Sequence, residues 1–219
     1  MRISNASTIL FATVLVLGGC SKKNDDTPAP SGGGGTGGSG ALTANTVPFM
    51  QMTIDGTTVS YTEGATYGSF PDNYENIATP PASSTKTYSY IMYRKPDMDD
   101  VVCGAGFGRF NYQGSAPTDA QFFGFFTTGS KPYGDFETDN GRVAIAWLDA
   151  DGNEWSTFWG EDHSGASFNI TEVLALPSTT GTSSILVRAT FNCKLYLDDE
   201  SGQFKQVTNG TGVFQLYNS

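Results

Sequence analysis

The stretch Ile185 to Leu197 constrains this chain more than any other. Its odd positions, Ile185, Val187, Ala189, Phe191, Cys193, Leu195 and Leu197, are all apolar, while Arg188, Thr190, Asn192 and Lys194 stand between them. Alternation of period two marks a strand with one buried face and one wet face. A slip of one residue would bring the whole apolar row into water, so the register is firmly set. The run exceeds the ~5–6 residues of an ordinary strand, and a strand that long must twist strongly or bend between sheets.

Similar signals recur on either side. Val47 to Ile54, Asp55-Gly56 and Thr57 to Thr62 read as strand, turn and strand, since Asp-Gly between extended runs favours a tight hairpin. Thr87 to Tyr93 alternates Tyr88, Tyr90 and Met92 against Thr87, Ser89, Ile91 and Tyr93, another strand. Val101 to Phe110 carries Val101, Cys103, Ala105 and Phe107 on one face and Gly104, Gly106 and Gly108 on the other, the pattern of a strand closely approached by neighbouring backbone. Gln121 to Thr127, with phenylalanines on both faces, predicts a central strand. Arg142 to Glu161 predicts a hairpin turning at Asp151-Gly152, with Leu148 opposite Trp155, Ala146 opposite Thr157 and Ala144 opposite Trp159. Ala166 to Leu174 adds a strand, and Asn209-Gly210 predicts a turn into a last strand, Gly212 to Tyr217. The segment from Tyr67 to Ser84, rich in Pro, Asn, Asp and Ser, reads as loop with at most one short helical turn. With no amphipathic helix and no repeat period, the chain is expected to be all-β: an antiparallel β-sandwich, immunoglobulin-like or related, or alternatively a partly closed β-barrel.

The N-terminus is organised differently. Arg2 precedes the short apolar run Ile9 to Leu17, and Leu17-Gly18-Gly19-Cys20 follows. The run is too short to span a bilayer, which takes ~20 apolar residues, but it suits a leader. The tetrapeptide resembles the lipobox of bacterial lipoproteins, which implies acylation of Cys20 and cleavage before it, hence a signal peptide over 1–19. Several acyl chains give stable anchoring where one is marginal. Lys22-Lys23-Asn24-Asp25-Asp26 is similar to the basic-then-acidic export tag of surface lipoproteins in the Bacteroidetes; read without that likeness it is a polar spacer. The stretch to Gly40, dominated by Gly, Ser and Pro, has nothing to bury, so 20–40 is expected to be a lipidated, flexible leash and 41–219 a single all-β domain.

The C-terminal half strengthens the likeness. Glu154-Trp-Ser-Thr157, Ser167-Phe-Asn-Ile-Thr-Glu-Val173, Ala189-Thr-Phe-Asn-Cys-Lys-Leu-Tyr196 and Val207-Thr-Asn-Gly210 resemble a broad group of Bacteroidetes lipoproteins of unknown function, laid out as lipobox, polar leash and one all-β domain. The resemblance spans about 140–217 and the leader. It implies a fold and an address at the outer membrane, surface-exposed or facing the periplasm, and no activity.

Charge narrows the partners. The formal net charge is −10, with only 16% charged residues. Such a surface repels phosphate backbones and anionic headgroups, which argues against nucleic acid and leaves the lipid anchor as the route to the membrane.

Few residues suggest chemistry. Cys103 and Cys193 both fall on apolar rows, as buried thiols or as a disulfide that an oxidising envelope would permit. His163, the sole histidine, sits in Glu161-Asp162-His163, which reads as a solvated loop; no Gly-x-Ser-x-Gly elbow accompanies it. Asp149, Asp151 and Glu154 crowd the tip of the hairpin, where the register places Asp149 opposite Glu154. A Ca²⁺ ion would relieve that repulsion, although a solvated turn also fits and the spacing is not that of an EF-hand. Paired acids of a glycosidase would need a cleft that nothing here predicts.

Among 3 Trp, 10 Tyr and 15 Phe, Tyr133, Phe136, Trp155 and Trp159 are the candidates for an exposed face that stacks on sugars. The expected role is a lipid-anchored, non-catalytic module that binds a glycan or a protein through the 67–84 and 130–139 loops, with no cofactor. The alternatives are a structural subunit of an envelope assembly and, remotely, a hydrolase.

Overall fold

The computed structural model describes residues 40–79, 82–179, 181–199 and 201–219. The signal peptide, Cys20, the export tag and all of the leash before Gly40 lie outside the described residues.

The domain is all-β and antiparallel, as expected, with one short helix. Its elements are β1 (Phe49–Ile54), β2 (Thr57–Thr62), β3 (Tyr67–Pro71), β4 (Tyr74–Asn76), β5 (Ser84–Arg94), β6 (Val101–Tyr112), α1 (Asp119–Phe125) and β7 (Gly129–Lys131). After these come β8 (Arg142–Leu148), β9 (Glu154–Ser156), a 3₁₀ turn (Thr157–Trp159), β10 (Ser167–Leu176), β11 (Ser184–Leu197) and β12 (Phe204–Tyr217). One continuous path runs β2-β1-β12-β11-β9-β8-β6-β5-β3, and it curls until the sheet is nearly closed and barrel-like. The two ends of the path meet where Tyr61 of β2 packs edge-on against Tyr67 of β3 at 5.3 Å, and the Trp147 indole N–H of β8 donates to the Tyr61 hydroxyl at 2.9 Å.

β11 is the spine, and its length is used as the alternation demands. Along one edge it pairs with β12 from Ser184 to Tyr196. Along the other it pairs with β10 over Ser184–Asn192 and then with β9 at Tyr196 and Leu197. Its apolar row from Ile185 to Leu195 is buried throughout. Across the interior, Tyr90 of β5 meets Phe214 of β12 at 5.6 Å, and Phe107 meets Phe126, Phe168 and Phe214 within 5.8 Å.

Four local expectations are corrected. Gln121 to Thr127 is not a strand. Thr118 caps α1, its backbone N–H donating to Gln121 Oε1 while its hydroxyl accepts from Gln121 N–H. Phe122, Phe125 and Phe126 then stand at helical spacing and pack on Tyr88. The segment 67–84 is not only loop, because β3 and β4 both pair with β5.

Asn209-Gly210 is a bulge inside β12, not a turn. Asn209 adopts φ +52° and takes Asn192 Oδ1 on its N–H, and Gly210 lies under the Phe191 ring, where a Cβ would come within 2.3 Å. The β8–β9 register is shifted by one, with Trp147 opposite Trp155 and Leu148 opposite Glu154. The predicted second strand ends at Ser156. Beyond it the Thr157 hydroxyl, not a strand backbone, accepts the Ile145 N–H at 3.0 Å.

Two segments clothe the outside of the barrel. Phe136, in 130–139, lies on the glycine face of β6, and Phe158 of the 3₁₀ turn meets it edge-on at 6.1 Å. This cover buries Ala144 and Ala146 on the outer face of β8.

Candidate functional site

β4 forms an outer border of the sheet. It pairs with β5 alone, Tyr74 opposite Thr87, Glu75 opposite Lys86 and Asn76 opposite Thr85. Alternation turns Glu75 inward and leaves Tyr74 outward, 52% exposed; Ile77 just beyond is 60% exposed.

A buried polar cluster pins this border from beneath. The Lys86 ammonium donates to the Ser219 carbonyl and lies 3.9 Å from Glu75 Oε1, and the Tyr112 hydroxyl donates to Glu75. Asn73 donates through Nδ2 to the Tyr217 carbonyl at 3.1 Å and to Ser219 Oγ at 3.0 Å. Desolvation lowers the Lys86 pKa, and Glu75 opposes it. The phenols of Tyr88 and Tyr90 and the Thr87 hydroxyl are buried without hydrogen-bond partners among the described residues. Reading the β5 row one step back from Tyr88 would have found Lys86 on the buried face.

A second polar cluster surrounds the hairpin tip. Asp149 Oδ1 accepts the N–H groups of Asp151 at 3.0 Å and Asn153 at 2.9 Å, and Oδ2 accepts the Trp155 indole N–H at 2.9 Å. Desolvation pushes the Asp149 pKa up, but these donors outweigh it and hold the carboxyl below its usual range. Asp149 therefore faces turn amides, not Glu154, and the arrangement imagined for Ca²⁺ from Asp149, Asp151 and Glu154 does not form. Among the described residues no three His, Cys, Asp or Glu side chains are placed to share a metal ion. Glu154 is instead buried on the outer face near Asp198 and Trp159; burial first, then Asp198, raises its pKa to about 7.

The aromatic candidates separate. Tyr133, Phe136 and Trp155 are 5%, 1% and 7% exposed, so they are packing residues rather than a sugar-stacking face. Tyr133 sits against Phe168, Phe136 covers β6, and the Lys205 ammonium lies 4.3 Å from the Trp155 ring centre. Trp159 is half-buried against Phe158. The 130–139 loop is thus cover, whereas the 67–84 segment supplies a free border.

Cys103 and Cys193 are buried free thiols on β6 and β11, and burial pushes Cys193 up to about 12 and raises Cys103 likewise. The His163 ring centre lies 5.7 Å from that of Tyr133, and its Nδ1 is buried without a partner among the described residues. Desolvation lowers its pKa. A cleft lined by Phe107, Phe126, Val143 and Ile170, with Lys131 and Arg142 in its walls, encloses about 20 Å³. That is room for a water, not for a ligand-sized body.

Compared with family models, curated proteins and solved structures, the chain matches none.

Proposed function

We propose that the protein is a lipid-anchored, non-catalytic binding module of the outer membrane that engages a protein partner along the β4 border. The observation that carries this reading is the exposure of two large apolar side chains, Tyr74 on the short strand β4 and Ile77 just beyond its end, beside a free strand edge. Free edges accept extended segments by backbone pairing, with neighbouring side chains supplying selectivity. A protein is favoured over a glycan because three of the four rings suited to sugar stacking are committed to packing. The anchoring part rests on the lipobox-like sequence ending at Cys20.

Protease shaving of intact cells tests the reading, alongside fractionation of a Cys20→Ala variant. Loss of the domain from unlysed cells, and release of the variant from the membrane fraction, are the expected results. A domain that survives until the outer membrane is opened would sink surface binding and favour the second reading, a subunit of a periplasmic assembly. That second reading draws on β2, a six-residue strand paired with β1 alone.

A further inference from the structure

Glu154 is the acidic residue most at odds with its surroundings. It is 7% exposed, and its Oε1 has no hydrogen-bond partner among the described residues. The Trp159 indole N–H is close enough to favour the ionised carboxyl, yet it completes no hydrogen bond either. Two orphaned groups of matching chemistry thus stand side by side, a situation that buried polar atoms rarely tolerate. Asp198, from the turn after β11, adds a second carboxylate, and its N–H donates to the Glu154 carbonyl at 3.2 Å.

Of the other charged groups on the elements around Glu154, Asp151, Glu161 and Asp199 are exposed to solvent, and the remaining described ones are engaged elsewhere. Lys194 of β11 pairs with Asp162, whose carbonyl accepts the Tyr196 hydroxyl at 2.7 Å. Asp149 is taken by turn amides and Trp155, Lys205 of β12 lies over Trp155, and the His163 ring lies tilted against Tyr133. Among the described residues no cation acts on Glu154.

The segment 157–163 reaches this site through Trp159. It is fastened at one end by the Ile145–Thr157 hydrogen bond and at the other by Asp162. Between them Gly160 passes under the Tyr196 ring, where a Cβ would stand 2.0 Å from Cδ2.

We propose that Glu154 is a proton-operated latch: protonated, it lets segment 157–163 and Asp198 close over the β8–β9 hairpin, and ionised, it loosens them. An ionised Glu154 would sit walled from water beside Asp198, with one imperfect donor in reach; opening the segment rehydrates it. The perturbed titration range of Glu154 agrees with this geometry, because both burial and Asp198 penalise its charged form. The closed state holds the proton more tightly than the open one. It is therefore most favoured below the ordinary Glu range, loses ground as pH rises to about 7, and changes no further above that.

Hydrogen exchange of the full chain, read by mass spectrometry and corrected for intrinsic rates, tests the latch between pH 5 and pH 8.5. Peptides covering 154–163 and 196–199 are expected to lose protection by up to about tenfold per pH unit until about pH 7, then level off. A peptide over 185–193 should hold its protection throughout. Glu154→Gln should flatten the profile, and Asp198→Asn should shift its midpoint to lower pH by removing the like charge.

A wild-type profile in Glu154→Gln, or a flat one in the wild type, overturns the latch. So does a flat profile in His163→Asn, which would make the histidine the switch, or recovery of protection by Ca²⁺ at pH 8, which would make the site a cation site. Should Glu154→Gln not fold, the Asp198→Asn midpoint decides: a downward shift supports the latch and an unmoved midpoint overturns it.

Discussion

A Cβ added to Gly108 would stand 1.7 Å from the carbonyl oxygen of Phe136. The bare outer face of β6 is thus what allows 130–139 to lie flat on the barrel, and Phe136 then roofs Gly106 with its ring. The contact is backbone on backbone, so no side-chain rotation can relieve it. Gly108→Ala is expected to lower stability by about 3 kcal/mol or more, or to prevent folding. Gly124, near the end of α1, has open space where its Cβ would be, so Gly124→Ala should raise stability by about 0.5–1 kcal/mol. Urea denaturation of the two variants separates close approach from mere glycine content.

Lys86 offers a test of asymmetry. A buried ammonium is tolerated because Glu75 and the Ser219 carbonyl surround it, and the pair is worth little net once desolvation is counted. Lys86→Met keeps the volume and removes the buried charge, while Glu75, 27% exposed, keeps water and the Tyr112 hydroxyl as partners, so stability should change by less than about 1 kcal/mol. Glu75→Ala leaves the buried cation without its counter-charge and the Tyr112 hydroxyl without its acceptor, and should lower stability by about 3 kcal/mol. Equal losses in the two variants would mean that the cluster acts through packing alone.

Where the chain was legible, side-chain period and backbone geometry agreed. The β11 row could be read because each odd residue from Ile185 to Leu195 is buried. The β1–β2 turn could be read because Asp55 and Gly56 both take positive φ, with Ile54 paired to Thr57. Misreadings arose where a polar side chain replaced a backbone partner. The phenylalanines of α1 fit either period, and only the Thr118–Gln121 capping box decides for helix. The β8–β9 register slipped because Asp149 gathers the N–H groups of Asp151 and Asn153 into a wider turn, moving Trp155 opposite Trp147. The free border at Tyr74 was hidden because β4 is three residues long and lies among turn-forming residues.

That wider turn carries its own prediction. Asp149 is held below the usual carboxylate range by its donors, against desolvation. A depressed folded-state pKa supplies stability above the ordinary Asp range, which is lost as pH falls through the folded value. Asp149→Ala should therefore destabilise the domain by about 1–2 kcal/mol at pH 7, as for a lost cap. The difference from wild type should shrink as the solution is acidified below the ordinary Asp range. A gap that stays constant with pH would assign the effect to something other than the ionised carboxylate.

Thiol reactivity reports on the spine itself. Cys193 lies in the buried row of β11 and Cys103 on β6, and burial disfavours the thiolate of both. The thiolate is the reactive species, so burial and a raised pKa protect them together. In a Cys20→Ala background, neither should react with a thiol reagent at pH 8 in native buffer, and both should react in denaturant. Because β11 pairs with β12 along nearly its whole length, exposing Cys193 requires breaking the central ladder. Its labelling rate should then follow global unfolding as Gly108→Ala or Glu75→Ala destabilises the domain. Native-state labelling of Cys193 at a rate indifferent to those variants would mean that β11 opens locally and is not the cooperative centre of the sheet.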